Sequence, residues 1–193
     1  REPVLKSTSL MRAFGVLADQ PLTQDGSAVA ETIRFFWPGF AYGQRPYGAP
    51  SVFNFYRPDY SLANAFGEAE LDAPEFQILT EKDITAASNW GGSIIFNSYD
   101  FLRENCEADV NYESGVGCLF ARFDDEIEMA RDAGDLVNHL DMLMLSGQMS
   151  EGAREIVLEH IEPFNAANEQ ERLYRVAEAT YLLWMSPEFS VQR

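Results

Sequence analysis

The side chains able to do covalent or metal chemistry are few and badly placed for it. His139 and His160 are the only imidazoles in 193 residues, and nucleophilic catalysis by serine or cysteine needs an imidazole positioned beside the nucleophile. A turn at Gly147-Gln148 sets His139 roughly opposite Val157 and His160 roughly opposite Leu136, which staggers the rings by about one helical turn. A shared metal site would need both rings beside Asp135, Asp141 or Glu159. Neither Cys-x-x-Cys nor His-x-x-x-His occurs, so a zinc site of the Cys–His kind is not expected. Paired carboxylates can hydrolyse glycosides, but that reaction depends on a separation in space, and 31 acidic residues offer no pair by spacing alone. No catalytic residue is expected in this chain.

Oxygen ligands are the next possibility. Asp109, Asn111 and Glu113 stand at alternate positions, as the first ligands of calcium loops do. The following glycine, Gly115, falls one place late for an EF-hand, and Phe120 occupies the twelfth position where a bidentate glutamate belongs. Calcium held by these three residues is therefore a candidate that lacks the full loop pattern. Cys106 and Cys118 flank the same stretch. Bridged in an oxidising compartment, they would close a small loop with a chain-entropy gain of roughly 3 kcal/mol; in a reducing one they would be two free thiols.

Rings, rather than reactive groups, dominate the rest. Trp37, Tyr42, Tyr47, Tyr56 and Tyr60 lie in residues 37–73, a run broken by Pro38, Gly39, Gly43, Pro46, Gly48, Pro50 and Pro58. A loop that long inside a compact domain is ordinarily ordered and often functional. Flat amphipathic rings on such a backbone can stack on sugars or grip a partner protein. The competing expectation is that Phe53, Phe55 and Tyr60 merely pin the loop down, with Arg45 and Arg57 as local ion-pair partners.

The elements that must position these residues read as helices. Mixed three- and four-residue apolar spacing predicts helices over 3–17, 28–37 and 74–97, with Gly91-Gly92 marking either a close approach or a bend. Residues 98–122 read as irregular, with a short strand near 117–123. Residues 124–193 read as C-terminal helices over 124–131, 133–145, 150–163 and 168–185, the last three packed side by side through short turns. The expected fold is mainly α, a single helical module over 1–193 with one long ordered aromatic and proline-rich loop and little or no β structure.

Composition sets the outer limits. With 46% hydrophobic and 13% aromatic residues the chain can bury a sizeable core. Fourteen basic residues against 31 acidic ones leave a net charge of −17, which repels phosphate backbones and excludes nucleic acid from the expected partners. No apolar run reaches the length of a membrane span.

Several blocks in one order carry a family likeness: Arg1-Glu2-Pro3-Val4-Leu5; Gly43-Gln44-Arg45-Pro46 with Ala49-Pro50-Ser51-Val52-Phe53-Asn54-Phe55-Tyr56-Arg57-Pro58-Asp59-Tyr60; and Ala73-Pro74-Glu75-Phe76-Gln77-Ile78. Leu136-Val137-Asn138-His139-Leu140-Asp141, Gly147-Gln148-Met149-Ser150 and Ser186-Pro187-Glu188-Phe189-Ser190-Val191-Gln192-Arg193 complete them. Together they resemble the C-terminal part of the bacterial domain-of-unknown-function family numbered 1800. The resemblance implies a large, mostly helical, exported protein, with an N-terminal half and a signal preceding these residues. It implies no catalytic residues, since no activity is established for that family. The expectation is thus a non-catalytic binding or assembly module of an exported bacterial protein, periplasmic or extracellular, recognising a polysaccharide or a partner protein, the remainder of its own precursor included. The alternative is a scaffold or lid for an enzyme whose active site lies in the preceding half.

Overall fold

The computed structural model describes residues 1–15, 17–18, 43–44, 48–62, 68, 72–99 and 119–191. Helix α1 (Pro3–Ala13) opens with proline in its first turn, where the missing N–H costs nothing. It closes at Phe14, whose N–H bonds the Leu10 carbonyl at 3.2 Å, and Gly15 then takes a φ of +50°. That left-handed residue stops the helix before the expected end at 17. Leu10, Met11 and Phe14 turn inward. Beyond it, strand β1 (Leu17–Ala18) pairs antiparallel with β2 (Leu119–Phe120), Leu17 opposite Phe120. The contact with the α1 end continues where Arg122 donates its N–H to the Phe14 carbonyl at 3.0 Å, while Ala121 donates to the Ile94 carbonyl at 2.9 Å. A strand near 117–123 was expected; its partner was not, because two residues carry no readable period.

The continuous helix expected over 74–97 is two pieces. Pro74–Ile78 forms a 3-10 turn, and α2 (Glu81–Phe96) starts afresh after Thr80. Thr80 accepts the Asp83 N–H at 3.3 Å, while the Asp83 carboxylate accepts both the Thr80 N–H and its hydroxyl, a reciprocal capping box. Local side-chain bonding thus overrides an apolar spacing that runs on through the break. Gly91 and Gly92 do not interrupt α2, which runs on through both. A methyl group at Gly91 would sit 2.1 Å from Trp184 Nε1, so the glycine exists to let that ring lie against the helix backbone.

Five helices follow: α3 (Asp124–Met129), α4 (Ala133–Leu140), α5 (Glu151–Ile161), α6 (Glu169–Met185) and α7 (Pro187–Ser190). Asp132, Ser150, Asn168 and Ser186 each accept the backbone N–H three residues on, at 2.9–3.2 Å. Such caps are worth about 1 kcal/mol apiece. The expected helix over 133–145 changes character at Asp141, where a π-helical turn (Asp141–Leu145) widens the spiral before Ser146 and Gly147 take φ of 58° and 73°. The buried Asp141 organises this corner, accepting the Met149 N–H at 3.0 Å and pairing with Arg154 at 3.1 Å.

Helix α6 is the spine. Helices α2, α3, α4, α5 and α7 all pack on it, and Leu173, Val176, Ala177, Ala179, Leu183 and Trp184 are buried between them. One contiguous core joins these to Leu10, Ile94, Ile95, Leu136, Leu140 and Ile161. The fold is mainly α, as the periodicity predicts, with one minimal β pair among the described residues. Among the described residues no helix is long and apolar enough to cross a membrane.

Candidate functional site

The candidate loop enters the described residues at Gly43-Gln44 and again over 48–62. Its anchor is polar. Gln44 is buried, accepting the Val4 N–H at 3.0 Å and donating to Glu2 Oε2 at 2.6 Å. Tyr56 donates its hydroxyl to the other Glu2 oxygen, also at 2.6 Å. One carboxylate at the mouth of α1 therefore holds two points of the loop. Burial, then the Glu2 hydrogen bond and the nearby Glu2 and Glu75 charges, push the Tyr56 phenol up to about 12. Gly43, at φ +79°, passes so close to the Ile78 carbonyl that a methyl group there would lie 3.2 Å away. The glycine and glutamine of the Gly43–Pro46 block thus act in docking the loop.

Tyr60 is half-buried and works through its backbone, receiving the Ala73 N–H at 2.8 Å and so closing the base of residues 61–72. Arg57 ties the loop to the 3-10 turn by donating its N–H to Gln77 Oε1 at 2.7 Å, and pairs at the surface with Asp59 at 2.8 Å. Trp37, Tyr42 and Tyr47, the other expected ring residues, lie outside the described residues. So do Cys106, Cys118, Asp109, Asn111 and Glu113.

What this framework presents is a tight turn, Ser51 to Asn54. Asn54 donates its N–H to the Ser51 carbonyl at 3.2 Å, Phe53 donates to the Ser51 hydroxyl at 3.1 Å, and Asn54 takes a left-handed φ of 70°. At its apex stand Val52 and Phe53, 95% and 64% exposed. Turn apices ordinarily carry Gly, Asn, Asp or Ser, whose side chains satisfy the backbone and like water; here the backbone is satisfied by Ser51 and Asn54, and two apolar side chains face solvent. Sequence reasoning passed over both. Phe53 read as an anchor, and Val52 was hidden in a run of rings.

The two histidines do not meet. His139 sits 3.0 Å from the buried carboxylate of Glu126 on α3, and His160 lies 3.2 Å from Glu178 on α6. They serve separate joints between helices, so the shared metal site weighed from their spacing does not form. Asp135 is exposed, and Asp141 is committed to Arg154 and the Met149 N–H.

The molecule defined by these features is a helical module built on one central helix, carrying a docked loop with an apolar turn at its tip. Over residues 1–191 the chain matches the model of the DUF1800 family, described as a protein of unknown function. It belongs to that family. No curated protein and no solved structure matches it.

Proposed function

We propose that this chain is a non-catalytic assembly module that binds a partner protein through the Ser51–Asn54 turn. The observation that carries the reading is the pair Val52 and Phe53, exposed at the apex of a turn whose base is pinned to Glu2, Gln77 and Ala73. A rigid base matters because ordering a mobile loop at an interface subtracts from affinity. Apolar side chains on a fixed turn lose little freedom on docking. A protein suits this apex better than a polysaccharide, since valine offers no face for a sugar ring and neither side chain offers a hydrogen bond.

The direct test is a photo-crosslinking residue at position 53 of the full-length protein in its native cell, together with the double variant Val52→Ser, Phe53→Ser. A discrete polypeptide adduct at 53, with co-purification of that polypeptide lost in the double variant, is the expected result. Retention of every association by the double variant would sink the proposal, and adsorption to insoluble glycans that depends on Phe53 would transfer it to polysaccharide.

An exported setting, a Cys106–Cys118 bridge and calcium at Asp109, Asn111 and Glu113 belong to the same reading. They rest on the family likeness and on residue spacing. The expected results are a linked peptide pair on non-reducing digestion and a melting temperature that rises with calcium and falls with chelator. Free thiols remove the bridge, and an unmoved melting temperature removes the ion.

A further inference from the structure

Between α1, the first half of α2 and the corner joining α6 to α7 lies a cavity of about 250 Å³, lined chiefly by Pro3, Leu79, Ile84, Ala87, Met185 and Pro187. Five polar residues border it: Arg1, Lys6, Asp83, Ser88 and Ser190. Four are already committed. Asp83 is spent on the Thr80 cap, and Ser88 donates to the Ile84 carbonyl at 2.9 Å. Arg1 donates to the carbonyls of Phe189 and Met144, at 2.8 and 3.4 Å. Ser190 donates back to the Ser186 carbonyl at 3.1 Å.

Lys6 differs. Its ammonium donates to Ser190 Oγ at 2.9 Å and lies over the Trp184 ring, 4.6 Å from the centroid. Among the described residues no carboxylate comes within ion-pair reach of it. One hydrogen bond leaves capacity on a group with three N–H donors. In a chain of 31 acids, a cation set into an apolar wall whose described neighbours are rings, a hydroxyl and the like charge of Arg1 is out of character, because an unpaired charge taken from water costs several kcal/mol.

We propose that this cavity binds a small monocarboxylate with an apolar body, its carboxylate on Lys6 Nζ and its hydrocarbon along Ile84, Ala87, Met185 and Pro187. Charge complementarity selects the headgroup, since a carboxylate supplies the counter-ion that none of the described residues provides. The committed polar groups select against a sugar or peptide, whose several hydrogen-bonding groups would go unmet on these walls. Size selects a short molecule: the space falls just below the roughly 300–1,000 Å³ typical of drug-sized ligands. Burial, and then the charge of Arg1, bring the ammonium down to about 8, which still leaves it mostly protonated at neutral pH and able to meet an anion.

The test is calorimetric titration and thermal melting of the full-length protein at pH 7 with octanoate, octanol and octylamine as probes. Octanoate is expected to bind and to raise the melting temperature with concentration, with octanol and octylamine at least tenfold weaker. Lys6→Met, which keeps the unbranched side chain one atom shorter and removes its charge, should lower octanoate affinity at least tenfold while the protein stays folded. Ser88→Trp, filling the space with Lys6 intact, should abolish binding as well. Equal binding of octanol and octanoate, undiminished binding by the Lys6→Met variant, or no binding at millimolar octanoate each overturns the assignment. So does borohydride trapping of octanal on Lys6 without octanoate affinity, which would make the lysine a carbonyl-capturing amine instead.

Discussion

At the scale of single residues, the packing of Trp184 on Gly91 is the tightest constraint in the described structure. The ring lies across the helix backbone and donates its Nε1–H to the Ala87 carbonyl at 3.2 Å. Gly91→Ala must displace the ring and break that bond, so a loss of about 3 kcal/mol is expected in chemical denaturation. Gly92→Ala meets only the edge of the Tyr181 ring at 3.2 Å, and the gain in helix propensity of about 1 kcal/mol largely offsets the contact. Equal losses at the two positions would contradict the packing described. Lys6 adds a pH signature. Its ammonium titrates at about 8 in the folded protein and at an ordinary 10.5 in the unfolded chain, so between those values the unfolded state binds more protons and stability rises with pH. Below pH 8 the penalty is present in full, on the order of 3 kcal/mol. Tyr56 and Tyr99 act oppositely, because their raised phenols hold protons above pH 10 that the unfolded chain has lost. Their contribution cancels on comparison with Lys6→Met. The stability advantage of that variant should therefore shrink from pH 8 to 10.5; an advantage constant across the window would mean that Lys6 is not desolvated.

At the scale of elements, Arg175 shows how the spine gathers its neighbours. Its buried guanidinium donates to the Ala130 carbonyl at the end of α3 and to the Phe164 carbonyl beyond α5. Both carbonyls lie where helices leave acceptors unsatisfied and where a cation is favoured. Arg175→Leu should cost about 3 kcal/mol in urea unfolding, and Arg175→Lys should recover little of it, since a point donor cannot reach two helix ends in one plane. Full rescue by lysine would show that charge alone matters there. The arginine was invisible as a joint in the sequence, where it reads as one more polar residue on the amphipathic helix 168–185. Helix boundaries were legible to different depths. Ser150, Asn168 and the Ser186-Pro187 pair announce their caps in residue type, and the structure uses each of them. The break at Thr80 was missed because Phe76, Ile78, Leu79 and Ile84 keep helical spacing across it, and the turn at Asp141 because Leu140, Met144 and Leu145 do the same.

At the scale of the whole molecule, the first and last described segments close on each other. Lys6 reaches Ser190 and Trp184, and the Arg1 guanidinium lies over the Phe189 ring at 4.3 Å. The Ser-Pro-Glu-Phe block near the end is thus a structural partner of the Arg-Glu-Pro block at the start. The same α1 mouth holds the loop through Glu2, so one helix end both positions the candidate turn and borders the lysine cavity.

Residue types and spacing alone determined the mainly α class, most helices of the C-terminal half, and the family. These are local properties: period, caps and breakers act over a few residues and need no neighbour from elsewhere in the chain. Which rings face solvent, why Gly91 is glycine, where each histidine finds its carboxylate, and how Lys6 comes to stand without one among the described residues were decided only by the tertiary structure. Each depends on two segments far apart in sequence being brought to within a few ångströms, and burial, the source of the energetic consequences, exists only after that meeting.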